Sequence, residues 1–156
     1  MPWIYFERDE PAAPSIRLST LDSHRLEPAD FRGISGLVLF FAHGLDCPAC
    51  YKLVSSLAQT VGTLRVQGAE VLVILPQAEG YPAPDLGALH LLLDHQGALR
   101  RAYAAILEFD LASQPLLFIL NQFNAPFRAW TGDEPDPEIL PQILKYLESA
   151  ALLCPE

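Results

Sequence analysis

Gly36 to Ala42, GLVLFFA, is an unbroken apolar run, and it ends only a few residues before the pattern of the chain changes. A run of that length with no alternation is expected of a strand covered on both faces. From Pro48 onward Leu53, Val54, Leu57, Ala58, Val61 and Leu64 recur at helical spacing, and Gly68 stands where the helix has to end. EVLVIL, Glu70 to Leu75, is a second buried strand. Buried strand, amphipathic helix, buried strand is a β-α-β unit, and it commits the chain to an α/β sheet with helices packed on it.

The remaining segments fit around that unit. SIRLST from Ser15 and the SHRLE segment read as two short strands with a turn at Asp22-Ser23, and PADFRG as one helical turn closed by Gly33. The proline-rich PQAEGYPAPDLG is a loop, LHLLLD a third buried strand, and Leu99, Ala102, Tyr103 and Ile106 mark a short helix after Gly97. PLLFIL is a further strand, NQFN a turn, and APFRAWTG its hairpin partner. A last helix starts between Asp136 and Pro141, with Ile139, Leu140, Ile143, Leu144 and Leu147 on one face. The order predicts a central mixed β-sheet flanked by helices, with an N-terminal β-hairpin extension. The 156 residues are expected to form a single domain, with residues 1–13 as an N-terminal extension and 14–150 as the core.

Charge narrows the partners. The net charge is −9 with ten Lys plus Arg and no basic cluster, which argues against nucleic acid and against an anionic membrane. No apolar run approaches the roughly 20 residues of a membrane span. The N-terminus lacks the basic start and apolar middle of a signal peptide, so the sequence reads as cytoplasmic. There is no glycine-rich phosphate loop, and no cofactor is expected.

The chemistry concentrates in Cys47-Pro48-Ala49-Cys50, between the central strand and the first helix. Three readings stand beside one another: a redox pair, a structural zinc knuckle, and two inert core thiols. A closed zinc site takes four ligands, whereas only Cys154 and four scattered histidines remain. No metal is therefore expected. His24, His90 and His95 read as surface or packing residues, Trp130 and Tyr103 as core aromatics, and Cys154 as an end thiol. Asp94 is assigned no chemistry.

With CPAC heading the first long helix and Pro115 opening the penultimate strand, the chain resembles thioredoxin-fold proteins. Within them it is similar to the peroxiredoxins, the alkyl hydroperoxide reductase / thiol-specific antioxidant group. The stretches that carry the resemblance are PSIRLSTLDSHRLEPADFRGISGLVLFFAHGLDCPAC, LLLDHQGALRRAYAA and LLFILNQFNAPFRAWTG. The resemblance implies a thioredoxin-like fold, thiol redox chemistry and a thiol reductant. The substrate it implies is a protein or small-molecule disulfide, or a peroxide, and it implies a homodimer. It also implies a cis bond before Pro115, facing the cysteines.

The chain departs from the peroxiredoxin signature. Gly44 and Phe40 stand where the family has Thr and Pro, and Pro115 stands where its peroxide-aligning Arg usually falls. It departs from thioredoxins as well, with Asp46 in place of a Trp, and Phe40 and Phe41 in the region of a buried Asp.

Helix physics assigns roles to the pair. A helix N-terminus carries unpaired N–H groups and roughly half a positive charge, which favours a thiolate there. Pro48 suits the first turn because its missing N–H is no loss. Cys47 is therefore expected to attack and Cys50, three residues on, to resolve, with Pro115 shaping the platform. His43, Pro48 and Gln114 are the supporting residues. Asp46 opposes the thiolate. The sequence thus reads as a thiol–disulfide oxidoreductase. The alternatives are a thiol peroxidase with Cys47 as the peroxidatic cysteine and a non-catalytic binding module on the same fold.

Overall fold

The computed structural model describes residues 3–7, 10–44, 47–77, 89–107, 114–133, 135 and 138–153. Its centre is the apolar run: β4, Gly36–Phe41, is buried at every position. The elements before it are β1 (Trp3–Tyr5), β2 (Leu18–Thr20), β3 (Arg25–Leu26) and a 3-10 turn at Pro28–Phe31. After it come α1 (Pro48–Val66), β5 (Ala69–Leu75), β6 (His90–Leu93), α2 (Ala98–Leu107), β7 (Leu116–Leu120), β8 (Pro126–Thr131) and α3 (Ile139–Leu153).

The eight strands form one sheet in the order β1-β8-β7-β4-β5-β6-β2-β3. β4 pairs in parallel with β5, Phe41 opposite Ile74, and antiparallel with β7, Phe41 opposite Leu116. The sheet is therefore mixed, as the sequence predicts.

Strand alternation explains why β4 is apolar throughout. Val38 and Phe40 point into one core with Leu53, Val54, Leu57 and Leu64 of α1 and Ile139 and Ile143 of α3. Leu37, Leu39 and Phe41 point into a second core with Leu99, Tyr103 and Leu107 of α2. Each fully buried Leu or Phe contributes about 1.5–3 kcal/mol, so both layers are strongly held. Gly68 follows α1 with φ +84 and space around it, the left-handed position the sequence expects there. Pro141 is the third residue of α3, inside the first turn, where its missing N–H leaves no intrahelical bond unmade.

Two features go beyond the sequence reading. Trp3–Tyr5 is a strand, paired antiparallel with β8, Trp3 opposite Trp130. The Trp3 ring packs edge-on against Tyr146 of α3 at 4.9 Å between centroids, and its Nε1 donates to Gln142. The β2–β3 hairpin is also more than an appendage. It extends the sheet, Ser19 lying opposite Leu93 of β6, with Ser23 in the left-handed region at φ 72.

One expectation is overturned. No peptide bond among the described residues is cis, so the bond before Pro115 is trans, the ordinary preference of an X–Pro bond by about 0.5–1 kcal/mol. Pro115 is buried and enters β7 in that form, its carbonyl accepting from Thr131 Oγ1 at 3.1 Å.

The β7–β8 turn rests on Asn124, which is 1% exposed and has φ 69. Its Nδ2 donates to the Pro28 carbonyl at 2.9 Å, and its own carbonyl accepts from Ala13 N. Asn124→Ala is expected to cost about 2–4 kcal/mol, from left-handed strain and an unsatisfied buried carbonyl. In urea the midpoint should fall with an unchanged slope. A loss within 0.5 kcal/mol, the usual range for a surface change, would mean that the turn does not depend on this side chain.

Candidate active site

The site forms where β4 hands over to α1. Beyond Phe41 the chain runs through Ala42, His43 and Gly44, and Cys47 then stands at the N-cap of the 19-residue α1. Cys47 has extended backbone angles, φ −79 and ψ 117, and its side chain does not cap the helix. Its carbonyl accepts the Tyr51 N–H at 2.9 Å, the first bond of the helix, and its own N–H reaches the Gly44 carbonyl at 3.4 Å. Pro48 occupies the first helical turn, as expected from its missing donor. The sulfur of Cys47 thus stays partly exposed at the open end of a long helix. Cys50, one turn in, is wholly buried.

Three side chains converge. The Cys47 and Cys50 sulfurs and a ring nitrogen of His43 lie within 4.8 Å of one another. Cys50 Sγ lies 3.3 Å from His43 Nδ1. The Cys50 thiol is pushed up to about 12, chiefly by burial and further by the Cys47 sulfur, against the lowering effect of the His43 and Gly44 backbone amides. Cys50 therefore keeps its proton until something takes it, and the imidazole in contact with it is placed to do so. Where thioredoxins have a buried Asp this chain has Phe40 and Phe41, and the His43 imidazole is the group beside the second thiol instead.

A further charge reaches the site from the other side of the sheet. Arg100, in the first turn of α2, donates from Nη1 to the Phe41 carbonyl at 3.4 Å, at the strand end from which the cysteine loop departs. Burial pulls the guanidinium below its usual range, and Asp94, then Cys50, oppose that. The backbone N–H of Arg100 donates to Asp94 Oδ2 at 3.0 Å. Asp94 is thus a buried anchor for the start of α2, the structural role the sequence reading left to it. Arg100 itself was missed. Its one sequence signal was the carboxylate six residues earlier, which marks a helix start and says nothing of the cysteines.

The other expected residues divide. Pro115 stands at the same end of the sheet as Cys47, since the next residue, Leu116, pairs with Phe41. Gln114 is tied elsewhere: its Nε2 donates to Asp133 at 3.1 Å and its Oε1 accepts from Thr131 at 3.3 Å, which fixes the chain entering Pro115. His24 pairs with Asp22 at the surface, His90 lies 3.6 Å from Glu70, and His95 is exposed. Trp130 and Tyr103 are core residues, and the Tyr103 hydroxyl donates to the Pro14 carbonyl at 2.7 Å. Asp46 and Cys154 lie outside the described residues.

Two thiols at a helix start, one reachable and one buried against an imidazole, on a mixed sheet between two helical layers, define a thiol oxidoreductase of the thioredoxin-like fold. Residues 10–124 match the AhpC/TSA family, and the chain belongs to that family. Its activity is accordingly that of a thiol oxidoreductase or peroxidase on a peroxiredoxin scaffold, a class that reacts with peroxides and thiols in general.

Solved structures agree on the fold. The 2-Cys peroxiredoxin of Plasmodium vivax superposes with a TM-score of 0.73 at 13% identity, covering 92% of this chain and 98% of that one. The bacterioferritin comigratory protein of Xanthomonas campestris, studied for alkyl peroxide reduction, gives 0.75 at 18% identity over 87% and 92%. A candidate thiol:disulfide interchange protein DsbE of Chlorobium tepidum gives 0.69 at 16% identity over 90% and 96%. No curated protein sequence matches the chain. Among the described residues no helix is long and apolar enough to cross a membrane.

Proposed function

We propose that the protein is a dithiol–disulfide oxidoreductase in which Cys47 attacks and Cys50 resolves. Cys47 Sγ displaces one sulfur of a substrate disulfide, forming a mixed disulfide and releasing the first substrate thiolate. Cys50 then gives its proton to His43 Nδ1 and attacks Cys47 Sγ. The second substrate thiol leaves, and the Cys47–Cys50 disulfide remains for a thiol reductant to open. The observation that carries this reading is the meeting of both sulfurs and the imidazole within 4.8 Å at the head of α1. Pro48 keeps the first turn free of a wasted donor, and Pro115, held by Gln114 and Thr131, borders the site. The reading implies a protein or small-molecule disulfide as substrate. In this reading residues 1–156 act as a single domain, and the proposed compartment is the cytoplasm, where thiols are kept reduced.

A peroxidase reading has one observation of its own in its favour. The Arg100 guanidinium, on the Phe41 carbonyl at the strand end from which the cysteine loop departs, would stabilise negative charge developing near the cysteines. In that reaction Cys47 becomes a sulfenic acid as the peroxide O–O bond breaks, and Cys50 displaces water from it.

Limited alkylation tests the assignment of roles. The reduced protein is expected to be labelled at Cys47 well before Cys50, because only Cys47 combines exposure with the open helix end. Peptide mapping by mass spectrometry after brief treatment reads the order. Equal labelling, or Cys50 first, would contradict the assigned roles.

A further inference from the structure

We propose that the reduced cluster of His43, Cys47 and Cys50 is a binding site for a thiophilic d10 metal ion, with zinc(II) as its test ion, and that it leaves one coordination position open. The sequence argument against zinc was that a closed site takes four ligands. The structure supplies three from one short stretch, and three protein ligands with an open position are the other common zinc arrangement.

The geometry is close to what the ion requires. With Zn–S near 2.3 Å and Zn–N near 2.0–2.1 Å, ligand atoms at neighbouring tetrahedral corners lie roughly 3.5–3.8 Å apart. Here His43 Nδ1 and Cys50 Sγ are 3.3 Å apart and no pair in the cluster exceeds 4.8 Å. His43 is exposed and Cys47 half-buried, so these two side chains, rather than buried Cys50, would take up the remaining distance.

The donor set selects the class of metal. Two thiolates and an imidazole suit zinc(II) or copper(I), whereas magnesium and calcium take oxygen ligands. Binding is balanced: zinc(II) displaces one proton from each thiol, and the two thiolates offset its charge. All three ligands come from the segment His43 to Cys50, so coordination closes only a short loop.

Metal and disulfide compete, since each uses both sulfurs. A bound ion should hold the pair reduced, and oxidation should release it. This consequence rests on the oxidoreductase reading; the affinity itself does not.

The test is a titration of the reduced full chain with zinc(II) against a chromophoric chelator in the absence of oxygen, repeated with cobalt(II). One ion per chain is expected, with cobalt giving thiolate-to-metal charge-transfer absorption and a tetrahedral spectrum. Cys47→Ser should remove stoichiometric binding, and His43→Ala should weaken it by at least ~10–100-fold and change the cobalt spectrum. Cys154→Ser should leave it unaltered. Circular dichroism confirms that each variant is folded. Unchanged affinity in folded His43→Ala, binding that survives Cys47→Ser, or no stoichiometric binding to the parent protein would overturn the proposal. A protein that binds zinc yet forms no Cys47–Cys50 disulfide would sink the exchange mechanism and leave the metal site standing, and the reverse result would do the opposite.

Discussion

Cys47→Ser is expected to lower disulfide reduction by at least ~10³-fold, while Cys50→Ser should halt the protein as a covalent mixed disulfide with its substrate. The two variants differ because the two sulfurs occupy different places. Cys47 is partly exposed at the N-cap of α1, and of the two described cysteines it is the one placed to begin the attack. A serine hydroxyl there is far less nucleophilic than a thiolate near neutral pH. Cys50 is buried, and its thiol is held up to about 12 chiefly by that burial. Removing it spares the first step and deletes the second. Mass spectrometry of Cys50→Ser mixed with a model disulfide should show the adduct on Cys47. His43→Ala should act between these extremes, slowing release of the second substrate thiol and leaving the first attack little changed. If Cys50→Ser loses the first step as completely as Cys47→Ser, with no adduct, the division of roles is wrong.

Peroxide reduction is expected to be slow beside disulfide reduction. Breaking the O–O bond depends on donors aimed at the leaving oxygen, and the loss of one such donor typically costs ~10²–10³ in rate. Gly44 has no hydroxyl, and Pro115 has neither a guanidinium nor an N–H. Arg100 brings a cation toward the pair, but from the α2 side of the sheet, with Nη1 on the Phe41 carbonyl. Gly44→Thr alone should therefore recover little. The measurement is a pair of second-order rate constants for the reduced protein, one with hydrogen peroxide and one with a model disulfide. A peroxide constant that matches efficient peroxidases and falls at least ~10²-fold in Arg100→Gln would move the assignment to the peroxidase reading.

Local signals made most of the fold and the cysteine pair legible. The apolar run of β4, the helical period from Pro48, Gly68 after α1 and the placement of Pro141 are properties of short windows, and each element formed where its window indicated. Their order indicated a mixed sheet flanked by helices, and the resemblance carried by CPAC and Pro115 implied the thioredoxin-like class.

What stayed hidden depended on distance along the chain. β1 is three residues long, too short for any period, and exists because β8 pairs with it. Asn124 looked like an ordinary turn residue until Pro28 was brought beside it. His43 was known to precede the cysteines, yet its contact with Cys50 depends on how the loop turns back over the first helical turn. Arg100 lies 59 residues from Phe41, and only the packing of α2 against the sheet joins them. The cis bond before Pro115 came from the resemblance alone, and this chain carries the trans form.

The central claim is that Cys47 and Cys50 cycle between dithiol and disulfide. A redox equilibration of the full chain against dithiol buffers of graded poise, followed by alkylation and peptide mapping, tests it most directly. The account predicts a single two-electron transition, in which the peptide containing Cys47 and Cys50 loses two hydrogens and Cys154 stays alkylatable throughout. A pair that stays reduced at every poise, or a disulfide that recruits Cys154, would contradict it.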